Sequence, residues 1–109
     1  MVVREEFLKL MSNKMNLKIL ALLRNEPAYP RLLARILGKD ETYISKKLRI
    51  LEGAGIVKGE WRRVKGKNVR LYSLNTDRIE IIFDLDGCKV RLKSGKGGQG
   101  VLSDESSRL

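Results

Sequence analysis

The sequence predicts a mainly α-helical domain with added β structure: three to four short helices, then two β-hairpins. Three observations lead to this prediction. Apolar residues recur at helical spacing up to Leu51, glycines and helix-capping residues interrupt them, and from Ile56 onward apolar residues are interleaved with charged ones. The chain has 109 residues, 42% of them hydrophobic, which is enough for one modest core. We expect a single domain over residues 1–93 and a flexible Gly- and Ser-rich tail over residues 94–109.

The first 37 residues contain two or three of the predicted helices. The stretches on either side of Ser12-Asn13 both show apolar side chains at helical spacing, so they form two helices or one bent helix. Either residue of this pair can cap the second stretch. Pro30 suits the first turn of the next helix and Gly38 suits its end, which predicts a short helix over residues 31–37.

A fourth helix is predicted over residues 41–51. Asp40 stands at its N-cap position, where the carboxylate can accept a hydrogen bond from the free backbone N–H of Thr42 or Tyr43. Two glycines shortly after it permit the left-handed turn that ends a helix. Its inward positions, spaced by four and three residues, are Ile44, Leu48 and Leu51.

The segment that follows predicts a basic β-hairpin. Apolar residues alternate with charged ones, and between Lys58 and Arg70 there are six basic residues and one acidic residue. A two-residue turn at Gly66-Lys67 or at Lys67-Asn68 gives an imperfect alternation, so a longer loop is a third alternative. The register of this hairpin therefore stays open at the level of the sequence.

A second hairpin is predicted over residues 79–93, with a two-residue turn at Asp86-Gly87. This register places apolar residues opposite each other on one face and opposite charges together on the other face, which favours a hairpin. The apolar pairs are Leu85 with Cys88, Phe83 with Val90, and Ile81 with Leu92. The charged pairs are Asp84 with Lys89 and Glu80 with Lys93.

Three short helices followed by a β-hairpin are the order of elements in a winged helix-turn-helix, whose third helix enters the DNA major groove while the hairpin flanks it. Residues 31–37 then correspond to the positioning helix and residues 41–51 to the recognition helix. The segment Ser-Lys-Lys-Leu-Arg-Ile-Leu-Glu-Gly-Ala-Gly-Ile-Val over residues 45–57 resembles the ArsR-like winged-helix repressors, which typically show Ser, two polar residues, Leu and then Ala-Gly-Leu-Val. The resemblance covers roughly residues 12–75 and implies DNA binding.

The sequence departs from that family in two respects. Metal-sensing members carry cysteine pairs or His/Asp sites, whereas this sequence has one cysteine and no histidine, so we expect no arsenic or zinc sensor. Members also usually close with a helix that pairs with the first helix across a dimer, and this sequence has the second hairpin instead. We expect a homodimer that covers an apolar face. Its candidate interface residues are Phe7, Leu8, Met11, Ile81, Phe83 and Val90.

The composition favours a polyanionic partner. The 23 Lys and Arg residues outnumber the 13 Asp and Glu residues, so the formal net charge is +10, and each neutralised phosphate releases counterions that drive binding. Two carboxylates near the start argue against a signal peptide, and the longest apolar run is too short to span a bilayer. We expect a cytoplasmic protein that does not enter a membrane, without a catalytic, metal or cofactor site.

The predicted partner is double-stranded DNA, and the predicted function is sequence-specific regulation of transcription. On the fourth helix, Lys and Arg can donate to guanine edges, while hydroxyl groups contact phosphates or base edges. The hairpin suits backbone phosphates or the minor groove and sets affinity more than sequence choice. The predicted contacts are Thr42, Tyr43, Ser45, Lys46, Lys47 and Arg49 on the helix, and Arg62, Arg63, Lys65, Lys67 and Arg70 on the hairpin.

Three alternatives belong to other functional classes. One is a winged helix that contacts protein, and another is a chromatin-type protein that binds DNA without sequence preference. The third follows from an apolar strand ending in Asp-x-Asp-Gly, which resembles the first motif of haloacid dehalogenase-like phosphatases; the resemblance implies Asp84 as nucleophile and Asp86 as general acid. Cys88 stands where that family usually has Thr, and a hairpin turn accounts for both aspartates without catalysis. We therefore predict that the protein is not an enzyme.

Overall fold

The computed structural model describes residues 4–94 and 100–107. Within these residues, four helices precede five strands, in the layout of a winged helix-turn-helix with added C-terminal β structure, so the predicted fold class is confirmed. None of the helices described is long and apolar enough to cross a membrane. The elements are α1 (Arg4–Ser12), α2 (Lys14–Asn25), α3 (Pro30–Leu37), α4 (Glu41–Gly53), β1 (Val57–Val64), β2 (Lys67–Leu74), β3 (Arg78–Asp84), β4 (Gly87–Ser94) and β5 (Gly100–Ser107).

Local capping sets the ends of α2 and α3. The Asn13 side chain accepts a hydrogen bond from the backbone N–H of Asn16 at 3.0 Å, which satisfies one of the free donors at the start of α2. Pro30 occupies the first turn of α3, where its missing N–H costs nothing. Gly38 ends α3 in the left-handed conformation, at φ 66°. The first two helices are therefore separate, and these ends lie where the sequence predicts them.

The start of α4 differs from the prediction in one respect. Asp40 does occupy the N-cap position, but its carboxylate makes no capping hydrogen bond. The backbone carbonyl of Asp40 instead accepts the first intrahelical hydrogen bond, from the N–H of Ile44 at 3.1 Å. Asp40 is exposed, so water can satisfy its carboxylate and the free N–H groups of the first turn separately.

The β1–β2 hairpin, called the wing below, turns at Lys65-Gly66. Val64 pairs with Lys67, so both predicted two-residue turns and the longer loop are wrong. Lys65 has φ 50° and Gly66 has φ 79°, the paired left-handed conformation of a type I′ turn, whose twist matches that of the two strands. The sequence does not indicate this turn, because a lysine rarely adopts a positive φ.

The second hairpin, β3–β4, forms as predicted, but its predicted register is wrong by two residues. Phe83, and not Leu85, lies opposite Cys88, and the turn is Leu85-Asp86. Leu85 is fully exposed at the tip, where the backbone N–H of Asp86 donates to Asp84 Oδ1 at 2.9 Å and stabilises the turn. A shift of two residues keeps every side chain on its predicted face. The predicted charged pairs persist as diagonal contacts, Lys89–Asp84 at 4.0 Å and Lys93–Glu80 at 3.4 Å.

The chain after β4 contributes a third strand to this sheet. Gly100–Ser107 forms β5, which pairs antiparallel with β4 and gives the strand order β3-β4-β5. The structure thus differs from the flexible tail expected over residues 94–109, of which residues 95–99 and 108–109 lie outside the described residues. The physical reason is the edge of β4, whose N–H and C=O groups are satisfied by another strand. The domain limits themselves stay a prediction.

One hydrophobic core joins the helices, the base of the wing and the second sheet. Tyr72 of β2 exchanges two backbone hydrogen bonds with Ala28, at 3.0 and 2.9 Å, which holds the wing beside the start of α3. Phe7 of α1 and Val90 of β4 are only 4% and 5% exposed within this core. These two residues are therefore wrongly predicted at a dimer interface, because the core of the single chain already buries them.

Candidate nucleic-acid interface

The outer face of α4 carries a stripe of polar side chains. Three large aliphatic side chains on its inner face are completely buried, so the positions between them face away from the core. Residues three and four apart share one side of a helix, which brings four of the predicted contacts together as one row. Three of these residues are exposed and the serine is half-buried; they are Thr42, Ser45, Lys46 and Arg49.

A groove lies between α4 and the wing, and predicted contacts from both elements line it. Ser45 and Arg49 contribute from α4, and Arg70 contributes from β2. Trp61 and Asn68 line the same groove, although the sequence analysis did not include them among the contacts. Trp61 is 66% exposed, which leaves one face of a large aromatic side chain open to a ligand. The helix stripe and the wing therefore form the two walls of one concave surface.

Arg70 joins these two walls. Its Nη2 donates to Glu52 Oε2 on α4 at 2.6 Å, and its Cζ lies 5.1 Å from the centre of the Trp61 ring and 5.8 Å from that of Tyr72. The hydrogen bond to the Glu52 carboxylate raises the pKa of Arg70 above its ordinary value. A guanidinium held in this way sets the position of the wing relative to α4.

Gly59 of β1 makes room for this arrangement. A Cβ atom at Gly59 would lie 2.6 Å from Nε of Arg70 and 3.0 Å from Cε1 of Tyr72, its cross-strand partner. Heavy atoms do not pack so closely, so a larger residue would displace the guanidinium from Glu52. A glycine inside a predicted strand indicates a close approach, but it does not indicate which group approaches.

The remaining predicted residues of the wing are available to a ligand. Arg62 makes an ion pair with Glu60 at 3.7 Å, and Arg63 donates to Asn68 Oδ1 at 3.4 Å. Contacts of this length between exposed side chains are weak and are readily exchanged for a phosphate. All four residues of this group are exposed, namely Arg62, Arg63, Lys65 and Lys67.

The strand register divides the basic residues of the wing between its two faces. Arg63 lies on the same face as Trp61 and Arg70, the face that lines the groove beside α4. Arg62 and Lys67 lie on the opposite face. The wing thus carries positive charge on both faces, and only one of them is shared with α4.

A second groove lies between α3 and the tip of the wing. Arg31 and Arg35 of α3 line it together with Lys65 and Lys67 of the wing, and Leu32 contributes to its apolar floor. Four cations around one groove attract phosphate groups. Neither arginine was among the contacts predicted from the sequence, although their spacing of four residues places them on one face of the positioning helix and could have indicated them.

Lys47 and Tyr43 form a separate pair on α4. The Nζ atom of Lys47 donates to Oδ1 of Asn13 at 3.3 Å, and it lies 5.3 Å from the centre of the Tyr43 ring. Lys47 is half-buried, and its contact with Asn13 directs it toward the start of α2. The structure therefore does not bring Lys47 into the groove beside the wing, and its contact with DNA stays a prediction.

The helices, the basic wing and the polar face of α4 define a winged helix-turn-helix protein. Residues 13–58 match the family model described as bacterial regulatory protein, arsR family. The match covers α2, α3 and α4 and ends at the start of the wing, so the resemblance predicted from the sequence is confirmed for this segment. It is the domain of a DNA-binding transcriptional regulator. A search of curated proteins finds no significant match to the chain.

The Asp-x-Asp-Gly segment lies at the tip of the second hairpin. Asp84 accepts the backbone N–H of Asp86 and forms an ion pair with Lys89 at 4.0 Å. Both aspartates therefore take part in the turn, and Asp84 also takes part in cross-strand pairing. The matched regulator family binds DNA and is not a family of enzymes.

Proposed function

We propose that the protein is a sequence-specific regulator of transcription that binds double-stranded DNA as a homodimer. The polar stripe of α4 enters the major groove, and the wing lies against backbone phosphates or in the minor groove. The proposed contacts from α4 are Thr42, Tyr43, Ser45, Lys46, Lys47 and Arg49. Those from the wing are Arg62, Arg63, Lys65, Lys67 and Arg70, with Arg70 acting mainly by positioning the wing.

The observation that supports this proposal best is the groove shared by α4 and the wing. A duplex seated there meets base-reading and phosphate-binding side chains at the same time. Arg49 is the principal candidate for reading a base, because it is exposed, lines the groove and carries a guanidinium that can donate two hydrogen bonds to guanine. The formal net charge of +10 favours rapid association with any duplex.

The test is fluorescence anisotropy with a duplex enriched by the protein from a random pool and a scrambled duplex of the same composition. We expect a clear preference for the enriched duplex. Arg49→Ala should reduce that preference roughly 5- to 150-fold, the equivalent of about 1–3 kcal/mol for a bidentate arginine–guanine contact. Arg24→Ala removes an exposed arginine from α2 and serves as the matched control, for which the preference should not change.

The alternatives give different results in the same assay. Equal affinity for both duplexes with a steep salt dependence would identify a non-specific, chromatin-type binder. An absence of binding at low salt would favour a winged helix that contacts another protein. A loss of preference in Arg24→Ala as large as in Arg49→Ala would refute the assignment of α4 as the element that reads sequence.

A further inference from the structure

Strand β3 leaves one edge of the second sheet open. Among the strands that the structure describes, β3 pairs with β4 alone, from Arg78 opposite Lys93 to Asp84 opposite Gly87. Unpaired N–H and C=O groups along such an edge accept another strand, and proteins usually prevent this with Lys, Pro, a bulge or a covering element. The β3 sequence, Arg-Ile-Glu-Ile-Ile-Phe-Asp, contains neither Lys nor Pro.

We propose that two copies of the chain dimerise through this edge, with their β3 strands antiparallel and a two-fold axis at Ile81. The two three-stranded sheets then join into one continuous sheet across the dimer. Every contact occurs twice, once on each side of the axis. The pairs between the two copies are Arg78 with Asp84, Ile79 with Phe83, and Glu80 with Ile82.

Charge complementarity selects this register over its neighbours. An axis at Ile81 brings Arg78 of each copy opposite Asp84 of the other. An axis at Ile82 instead places Glu80 opposite Asp84, and an axis at Glu80 places that residue opposite its own copy. Like charges directly opposite each other destabilise a strand pair, whereas opposite charges stabilise it. Of these three registers, only the proposed one pairs both charged end residues of β3, Arg78 and Asp84, with a residue of opposite charge.

The charged residues at the ends of β3 can exchange their partners within the chain for this contact. Arg78 is 67% exposed and lies 3.0 Å from Glu80. Glu80 also lies 3.4 Å from Lys93 and 3.9 Å from Arg91, so its carboxylate stays neutralised when Arg78 turns to a second copy. The Asp84 side chain is 41% exposed, and its ion pair within the same sheet spans 4.0 Å, a long and weak contact.

The same register covers exposed apolar surface. Phe83 is 63% exposed in the single chain, and the register places it opposite Ile79 of the second copy. Ile79 lines a groove beside α2 together with Leu17 and Leu20, and Leu17 is itself 46% exposed. The phenyl ring of each copy therefore meets an apolar floor on the other, which is the kind of surface that association removes from water.

Charge reversal tests the register, with the full chain and without DNA. Sedimentation equilibrium gives the dissociation constant of the dimer. Arg78→Glu places two carboxylates opposite each other, and Asp84→Arg places two guanidinium groups opposite each other, so each variant should raise that constant about tenfold or more. An equal mixture of the two variants restores both opposite-charge pairs and should dimerise as tightly as the wild type. Lys9→Glu, at an exposed position of α1, is the matched control and should not change the constant.

A second variant keeps the test independent of the ionic contacts. Phe83→Ser changes a side chain that is exposed in the single chain, so it should weaken the dimer while the circular dichroism spectrum stays that of the wild type. A monomeric wild-type protein would overturn the proposal, as would a dimer that the single charge reversals leave intact or a mixture that shows no recovery. The proposal rests on the homodimer of the proposed function, so a monomeric wild type would remove that homodimer as well, whereas DNA binding by α4 and the wing is tested separately by anisotropy.

Discussion

Removal of the two lysines at the tip of the wing should flatten the salt dependence of DNA binding. The substitutions must respect the turn, because Lys65 has φ 50° and an alanine there would add backbone strain to the loss of charge. Asparagine tolerates this conformation and is the preferred residue before glycine in a type I′ turn. Lys67 is an exposed residue at the start of β2, so glutamine removes its charge and keeps most of its length. The appropriate variant is Lys65→Asn/Lys67→Gln.

The expected magnitude follows from counterion release. Each neutralised phosphate contributes about 0.9 to the slope of the logarithm of affinity against the logarithm of salt concentration, so two lost contacts lower the slope by about 1.8. Between about 50 mM and 200 mM salt, the affinity of both proteins falls. The factor by which it falls should be roughly twelve times smaller for the variant than for the wild type. Both lysines lie beside Arg31 and Arg35, and the combined positive charge of the four side chains favours the binding of a phosphate there.

The assay is fluorescence anisotropy on a single duplex over a salt series. A matched control, Lys9→Gln/Lys18→Gln, removes the same charge from exposed positions on α1 and α2 and should keep the wild-type slope. Identical slopes for the wild type and the wing variant would show that the wing tip contacts no phosphate. An equal decrease in the control would show that the slope reports the total charge of the protein and not the wing.

Two further perturbations test the core and the positioning helix. Leu48→Ala removes a completely buried side chain of α4 and should lower the free energy of unfolding by about 2–5 kcal/mol in urea denaturation. Ile50→Ala, on the same helix but 56% exposed, should cost less than about 1 kcal/mol, and the opposite order would contradict the orientation of α4. Arg31→Ala/Arg35→Ala should weaken binding to the enriched and the scrambled duplex by the same factor, as measured by anisotropy, because both arginines are expected to face phosphates. A loss of affinity for the enriched duplex alone would show that they contact bases.

The helices were predictable from the sequence because local chemistry sets their ends. Asn13, Pro30 and Gly38 each act on atoms within one helical turn, so the boundaries of α2 and α3 need no tertiary information. The outer face of α4 follows in the same way from the spacing of its apolar residues. Asp40 shows the limit of this reasoning, because an exposed carboxylate and the free N–H groups of the first turn can each bind water instead of each other.

Strand registers were less predictable because they depend on which residues the rest of the fold buries. Asp86-Gly87 is a strong turn signal in the sequence. The chain nevertheless turns at Leu85-Asp86, which leaves Leu85 in solvent and shifts the pairing of the two strands by two residues. The wing turn is harder still, since it places Lys65 in a conformation that lysine rarely adopts. Registers of this kind are set by the sum of cross-strand contacts, which no short motif reports.

Arg70 shows that the charge of a residue does not establish its role in the interface. In the sequence it is one of several equivalent basic residues, whereas in the structure its guanidinium bonds to Glu52 of α4 and fills the space above Gly59. This contact, together with the two backbone hydrogen bonds between Tyr72 and Ala28, fixes how the wing lies beside α4. In the proposed complex a duplex contacts both elements at the same time, so a shift of the wing would change which bases α4 can reach as well as which phosphates the wing can bind. The proposed function therefore predicts that a change at Arg70 alters affinity and sequence preference together, even if Arg70 does not contact DNA directly.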